Sequence, residues 1–259
     1  MSHDIATAGT GCDLLVIAPH TDDAEIGLGG TIAVLGDRGR RVWVADLTRG
    51  ELGSNATPDE RWQEAAAASA VLGLAGRVQL SLPDGFLDPH DRGQAAAVAW
   101  VIRSLRPRWL LTAPDPVRHP DHRATPPLVE RAAFLARLSA WQPPRPPLRT
   151  WSGGAELPEA AETWQTAAVF AVCADREAPA FCFDVTAGWE RKLEALACFG
   201  SQFTRRPGRR PTMINDAAFL EKIERRARSW GRRAGVELAE AFAGEAVPVL
   251  DDLPREPWL

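Results

Sequence analysis

Four short apolar runs of β character alternate with four helix-like stretches over the first half of the 259-residue chain, and this rhythm leaves few folds open. The runs are "DLLVIA" (13–18), "RVWVADL" (41–47), "RVQLSL" (77–82) and "RWLLTA" (108–113). Helices are expected near 25–38, 58–73, 93–106 and 122–138, the third closed by Pro107. A strand that returns beside its predecessor after a helical crossover runs parallel to it. The expectation is therefore an α/β fold, a Rossmann-like, mostly parallel sheet with helices on both faces. Open sheets of this kind hold ligands at the carboxyl ends of their strands, where the βα loops emerge, so the active site is expected there.

Beyond residue 138 the pattern changes. The stretch "SAWQPPRPPLRTWSGGAELPEAAET" (139–163) is rich in prolines and glycines that favour extended and turn backbone, and it reads as a long loop over the active face. Strand-like runs resume in "AAVFAV" (167–172) and "AFCFDV" (180–185), and too little chain follows for an independent domain of ordinary size. A single domain is expected over 1–259, with a Rossmann-like part at about 13–138 and a C-terminal elaboration at about 139–259.

Two of the βα loops concentrate unusual chemistry. After the first run, "PHTDDAE" (19–25) sets one imidazole and three carboxylates close together, although adjacent acids repel and gain little from a core. A lone acid here would read as a helix cap, with Asp22 or Asp23 accepting from free amides and Glu25 complementing the helix dipole. Three acids beside His20 suit a metal better. Neutral imidazole and carboxylate are ordinary zinc ligands, and a catalytic site takes three protein ligands and leaves a position open. The loop after the fourth run, "PDPVRHPDHRATP" (114–126), carries His119 and His122 on either side of Pro120 and Asp121. One histidine of that pair completes the ligands, while the other, oriented by Asp121, acts as an acid or an oxyanion partner. In the second loop, "TRGELGSNATPDER" (48–61), Gly50 and Gly53 let backbone approach a ligand, and Arg49 and Arg61 offer cations to an anionic group.

Composition narrows the partners. A net charge of -4 gives no reason to expect nucleic acid, and the late basic clusters "RRPGRRP" (205–211) and "ERRARSWGRR" (224–233) read as solvated faces or subunit contacts. The four cysteines stand far apart without a CxxC, which predicts neither a disulfide framework nor a cysteine zinc site. The first twelve residues lack the basic and apolar regions of a secretory signal, and no apolar run approaches the roughly 20 residues of a membrane span. A cytoplasmic location, away from membranes, is expected.

The paired motifs "PHTDDAE" and "RHPDH" resemble those of the LmbE/PIG-L family of zinc-dependent N-deacetylases, which act on N-acetylglucosamine conjugates. Further segments, "DLTRGELGSNATPDER", "LPDG", "SQF" and the closing "GVELAEAF…PVLDDL", are similar to the N-acetylglucosaminyl-malate deacetylase branch of bacillithiol biosynthesis. The resemblance implies zinc, or another divalent metal, on His20, Asp23 and His122, with Asp22 as general base. It also implies that His119, held by Asp121, stabilises the oxyanion or protonates the leaving amine, and that Arg61 and Arg149 contact substrate. The implied partner is a small-molecule amino-sugar conjugate, and the implied assembly a homo-oligomer, with hexamers in its range. Thr21 stands where many members have proline, and Phe199 and Leu238 stand where relatives often have tyrosine, so any hydroxyl used there is missing. Two rival readings are an amidase or deacetylase of another N-acylated glucosamine or thiol conjugate, and a non-catalytic sugar- or metal-binding module. Asp22 counts against the module, since a pure binder needs no base beside three ligands.

Overall fold

The computed structural model describes residues 11–112, 119–160, 162–173, 178–205 and 207–246. Ala113 of the fourth expected strand, the "PDPVR" start of the fourth loop and the closing "PVLDDL" lie outside them. The four expected βα units form as β1 (Leu14–Ala18), α1 (Asp23–Asp37), β2 (Val42–Thr48), α2 (Pro58–Leu72), β3 (Gly76–Leu82), α3 (Arg92–Leu105), β4 (Trp109–Thr112) and α4 (Pro120–Leu135). They are followed by β5 (Leu148–Ser152), β6 (Ala168–Val172), β7 (Phe181–Asp184), α5 (Trp189–Ala197), the short α6 (Gly200–Phe203), α7 (Ala217–Ala234) and β8 (Ala239–Ala243).

The eight strands of the described residues join one sheet in the order β5-β3-β2-β1-β4-β6-β8-β7. β1, β2, β3, β4 and β6 run parallel, with Val16 level with Val44 on one side and with Leu111 on the other. β5 and β8 pair antiparallel with their neighbours. Side chains alternate across the central strands, as a period of two requires. Leu15, Ile17, Trp43, Ala45 and Val78 pack with α3 and α4, while Leu14, Val16, Val42 and Val44 pack with α1, α2 and α5. Helices thus cover both faces and β1 is buried throughout. Each of its Val, Leu and Ile side chains contributes on the order of 2 kcal/mol over an exposed one.

After α4 the strands expected at 167–172 and 180–185 form as β6 and β7, but the stretch between α4 and β6 differs from expectation. The described residues 139–160 and 162–163 do not form one loop over the active face. Arg103 and Ser104 of α3 donate to the carbonyls of Leu138 and Pro158, which holds this stretch along the outer side of α3. Leu148–Ser152 then turn into an edge strand against β3, where proline-rich flanks are tolerated because one side of the ladder needs no partner. The late basic cluster is α7, an amphipathic helix with Ile223, Ala227 and Trp230 buried and Arg225, Arg228, Arg232 and Arg233 exposed. Among the described residues no helix is long and apolar enough to cross a membrane.

One joint ties the two halves together. Helix α1 breaks at Leu28, whose backbone (φ -149°, ψ 22°) is not helical. The amides freed there are taken by Glu240 of β8, whose carboxylate accepts from Gly30 N at 3.1 Å, Thr31 N at 2.8 Å and Thr31 Oγ1 at 2.6 Å. Lys192 of α5 completes the buried cluster, donating to Glu240 at 2.6 Å and to the Ile26 carbonyl at 2.9 Å.

Candidate metal centre and active site

The strand order reverses at β1 and β4, because the chain moves outward from β1 through β2 and β3 and then crosses to β4 on its other side. The loops leaving two such strands diverge and open a crevice at their carboxyl ends. Both histidine-bearing loops emerge there. The first is held at Pro19, whose carbonyl accepts from Thr48 N at 3.1 Å and Thr48 Oγ1 at 2.9 Å. The second enters α4 with His119 at the N-cap and Pro120 at the first helical position, where a missing N–H costs nothing.

His20, Asp23 and His122 converge with one potential ligand atom each, all within 4.8 Å of one another. Asp23 Oδ2 lies 3.0 Å from His20 Nδ1 and 3.2 Å from His122 Nε2. All three side chains are buried. The other nitrogen of His20, Nε2, faces Asp84 Oδ1 at 3.2 Å and Asp121 Oδ2 at 3.3 Å. Both are acceptors, so Nε2 carries the hydrogen and Nδ1 is left to bind a cation, the arrangement that orients metal-bound histidines generally. Burial opposes a charge on His20, yet Asp121, Asp23 and Asp84 outweigh it and hold its pKa well above the usual value. Asp23 is likewise driven far down, burial opposing and His122 and His20 prevailing. Such an excess of buried negative charge is what a divalent cation neutralises, and two imidazoles with a carboxylate suit zinc or a similar ion.

Asp22 occupies the N-cap position of α1 but makes no side-chain cap. Its Oδ1 accepts instead from Arg61 Nη2 at 3.2 Å, both side chains being more than nine-tenths buried. Gly50 makes room for that guanidinium: its φ is +64°, and a Cβ would sit 2.2 Å from Arg61 Nη1. His119 lies at the rim, half-buried, with its ring centroid 4.7 Å from that of His20. Burial, seconded by His20, lowers its pKa, which leaves it neutral near pH 7.

Two sequence expectations need correction. Asp121 steadies His119 through its main chain, the Asp121 amide donating to His119 Nδ1 at 3.3 Å. Its carboxylate is fully buried and taken by the amides of Gly85 (2.7 Å) and Leu87 (3.1 Å) and by His20. Arg149 does not reach the centre. Its guanidinium binds Gln79 Oε1, Asp59 Oδ1 and the Pro58 carbonyl at 2.7–2.8 Å and stacks on Trp62, joining β5 to the start of α2. Arg149→Ala should therefore lower the melting temperature, by about 1–2 kcal/mol of stability, and leave KM unchanged; a raised KM would return Arg149 to the substrate site. Phe199 and Leu238 are both core residues packed away from solvent.

Sequence reasoning also missed Asp84 as a site residue. It sits in "LPDG" after β3, where one acid before glycine reads only as a turn. Its amide is held by Glu51 at 2.8 Å and its Oδ2 accepts from Leu52 N at 2.9 Å, so the second and third loops support the first. Arg49 stays partly exposed, donating to Asp59 Oδ1 at 3.4 Å.

The family model for PIG-L, GlcNAc-PI de-N-acetylase, matches residues 15–133, which include every residue of the centre. Across almost the full length, a conserved protein from Thermus thermophilus is similar in structure, with 33% identity, a TM-score of 0.78, and coverage of 95% of this chain and 100% of that one. The chain belongs to the PIG-L/LmbE family. Two more distant structures share the fold of this PIG-L/LmbE protein. One is N,N'-diacetylchitobiose deacetylase from Pyrococcus horikoshii, at 24% identity and a TM-score of 0.69 over 89% of this chain and 82% of that one. The other is 4-carboxy-2-hydroxymuconate hydratase from Pseudomonas putida, at 21% identity and a TM-score of 0.70 over 93% and 99%. The fold thus carries more than one chemistry, and the reaction has to be argued from the site.

Proposed function

We propose that this chain is a zinc-dependent deacetylase of N-acetylglucosamine conjugates, with N-acetylglucosaminyl-L-malate of bacillithiol biosynthesis as substrate. The reading rests chiefly on one observation: the donor set His20, Asp23 and His122 lies directly beside the buried pair Asp22 and Arg61. The family's name as a de-N-acetylase and the sugar deacetylase among its structural neighbours support it. The malate aglycone follows from the branch motifs in the sequence.

His20, Asp23 and His122 would hold a divalent ion, which when bound would supply Lewis acidity and lower the pKa of water toward neutrality. The chain's own residues do the rest. Asp22, held by Arg61, accepts the proton of the water that attacks the acetyl carbonyl. His119 accepts from the Asp121 amide at Nδ1, so its neutral ring carries hydrogen on Nε2 and donates it to the developing oxyanion. That tautomer cannot also protonate the amine, so the proton taken up by Asp22 goes to the nitrogen as the C–N bond breaks. Acetate and a free glucosamine amine leave.

Arg61, as partner of the base, serves every substrate alike. Arg49, partly exposed, can meet a malate carboxylate, and Arg210 lies against the same loop, its main chain pairing with Asn55 at 2.8–2.9 Å. Arg61→Ala is expected to slow the malate conjugate and free N-acetylglucosamine equally. Arg49→Ala should cost the malate conjugate about 10-fold in kcat/KM and spare the free sugar. The test of the substrate is amine release from N-acetylglucosaminyl-malate beside other N-acylated glucosamine and thiol conjugates. If the malate conjugate turns over no faster than free N-acetylglucosamine, the bacillithiol assignment fails and the broader deacetylase reading stands.

A further inference from the structure

A buried ionic cluster outside the reaction path lies beneath the metal-binding loop. Arg77 projects from β3 and is fully buried, as are Asp46 of β2 and Glu25 of α1. Each of its five N–H groups has an acceptor. Nε and Nη2 grip the two oxygens of Asp46 at 2.7 and 2.8 Å; the second Nη2 hydrogen goes to the Thr21 carbonyl at 2.6 Å; Nη1 donates to Glu25 Oε1 at 2.6 Å and to Ser69 Oγ at 3.4 Å. Asp46 fixes the plane of the guanidinium from one side, so the other edge has no freedom left. That edge holds two points of the first loop, the main chain at Thr21 and the first turn of α1 at Glu25. Asp22 and Asp23 lie between those points, and His20 immediately precedes them.

Stability alone is a poor reason for such a cluster, since a buried ionic triad is often no better than well-packed apolar side chains. Positional control is a better one. A lysine has no planar fork and could not hold Asp46, Thr21 and Glu25 at fixed mutual angles. We propose that Arg77 is a positioning residue for the metal centre, locking the loop so that His20 and Asp23 are spaced for a cation before one binds. The inference rests on the donor set proposed above.

The test is zinc affinity, measured by chelator competition on metal-free protein, with the melting temperature of the same samples as a measure of fold. For Arg77→Lys we expect zinc binding weaker by about 10- to 100-fold, the usual cost of losing a group that orients ligands. Activity should recover when zinc is raised. Asp46→Asn, which keeps one acceptor and frees the guanidinium plane, should weaken zinc binding in the same direction by less, and it carries the test if Arg77→Lys does not fold. Wild-type zinc affinity with a lowered melting temperature would overturn the inference and make the cluster purely structural. His122→Ala is measured in parallel: if it binds zinc like the wild type, the donor set itself is wrong and this inference goes with it.

Discussion

Purified His122→Ala protein is expected to contain no stoichiometric divalent metal and to release no amine, while the wild type holds about one zinc-like ion per chain. The His122 Nε2 meets Asp23 Oδ2 at 3.2 Å from across the crevice, and His122 is the one member of the proposed set that α4 supplies. Without it, His20 and Asp23 remain on one short loop, and two ligands from one loop do not hold an ion that needs three. The loss is local, because Pro120 and the Asp121 carboxylate still define the start of α4. Elemental analysis beside an amine-release assay reads both effects. Full metal occupancy in this variant would remove His122 from the ligand set.

Asp22→Asn should do the opposite with metal and nearly as much to turnover. The amide keeps size and an oxygen for Arg61 Nη2, and His20, Asp23 and His122 are untouched, so metal content should match the wild type. It cannot accept a proton, and turnover is expected to fall by roughly 100-fold or more with little change in KM. The pairing of full metal with lost turnover separates the base from the ligands. Turnover at the wild-type rate would mean that Asp22 only supports Arg61, and the proton would need another acceptor.

The parts of the fold that were legible in the sequence share a physical signature. β1 to β4 are buried runs bounded by clear helix starts, such as Thr57, which caps α2 in a full capping box with Glu60. The site loops were legible because parallel topology sends them to one end of the sheet, whatever their separation in the chain. β5 was hidden because it is an exposed edge strand amid prolines, and proline content outweighs a short run of strand character. β8 was hidden because Glu240 interrupts its apolar pattern for a partner on α1. Arg149 misled for a related reason: an arginine near an expected site looks available, and only the positions of Asp59, Pro58, Gln79 and Trp62 show it engaged. Arg77 and Asp46 raised no signal, since single charges inside strands are read as exposed positions until a guanidinium and a carboxylate meet inside the fold.

The broken helix α1 sets an order of events during synthesis. All the proposed ligands precede residue 123, and so do β1 to β4. Yet the Gly30 and Thr31 amides have their acceptor in Glu240, near the end of the described chain. Until that carboxylate arrives with Lys192 beside it, the nascent protein carries a half-finished helix directly behind its metal ligands. We expect stalled chains that end before β8 to expose α1 to protease and to chaperones, and to gain resistance only when Glu240 has emerged. On this expectation, maturation of the proposed centre waits for β8.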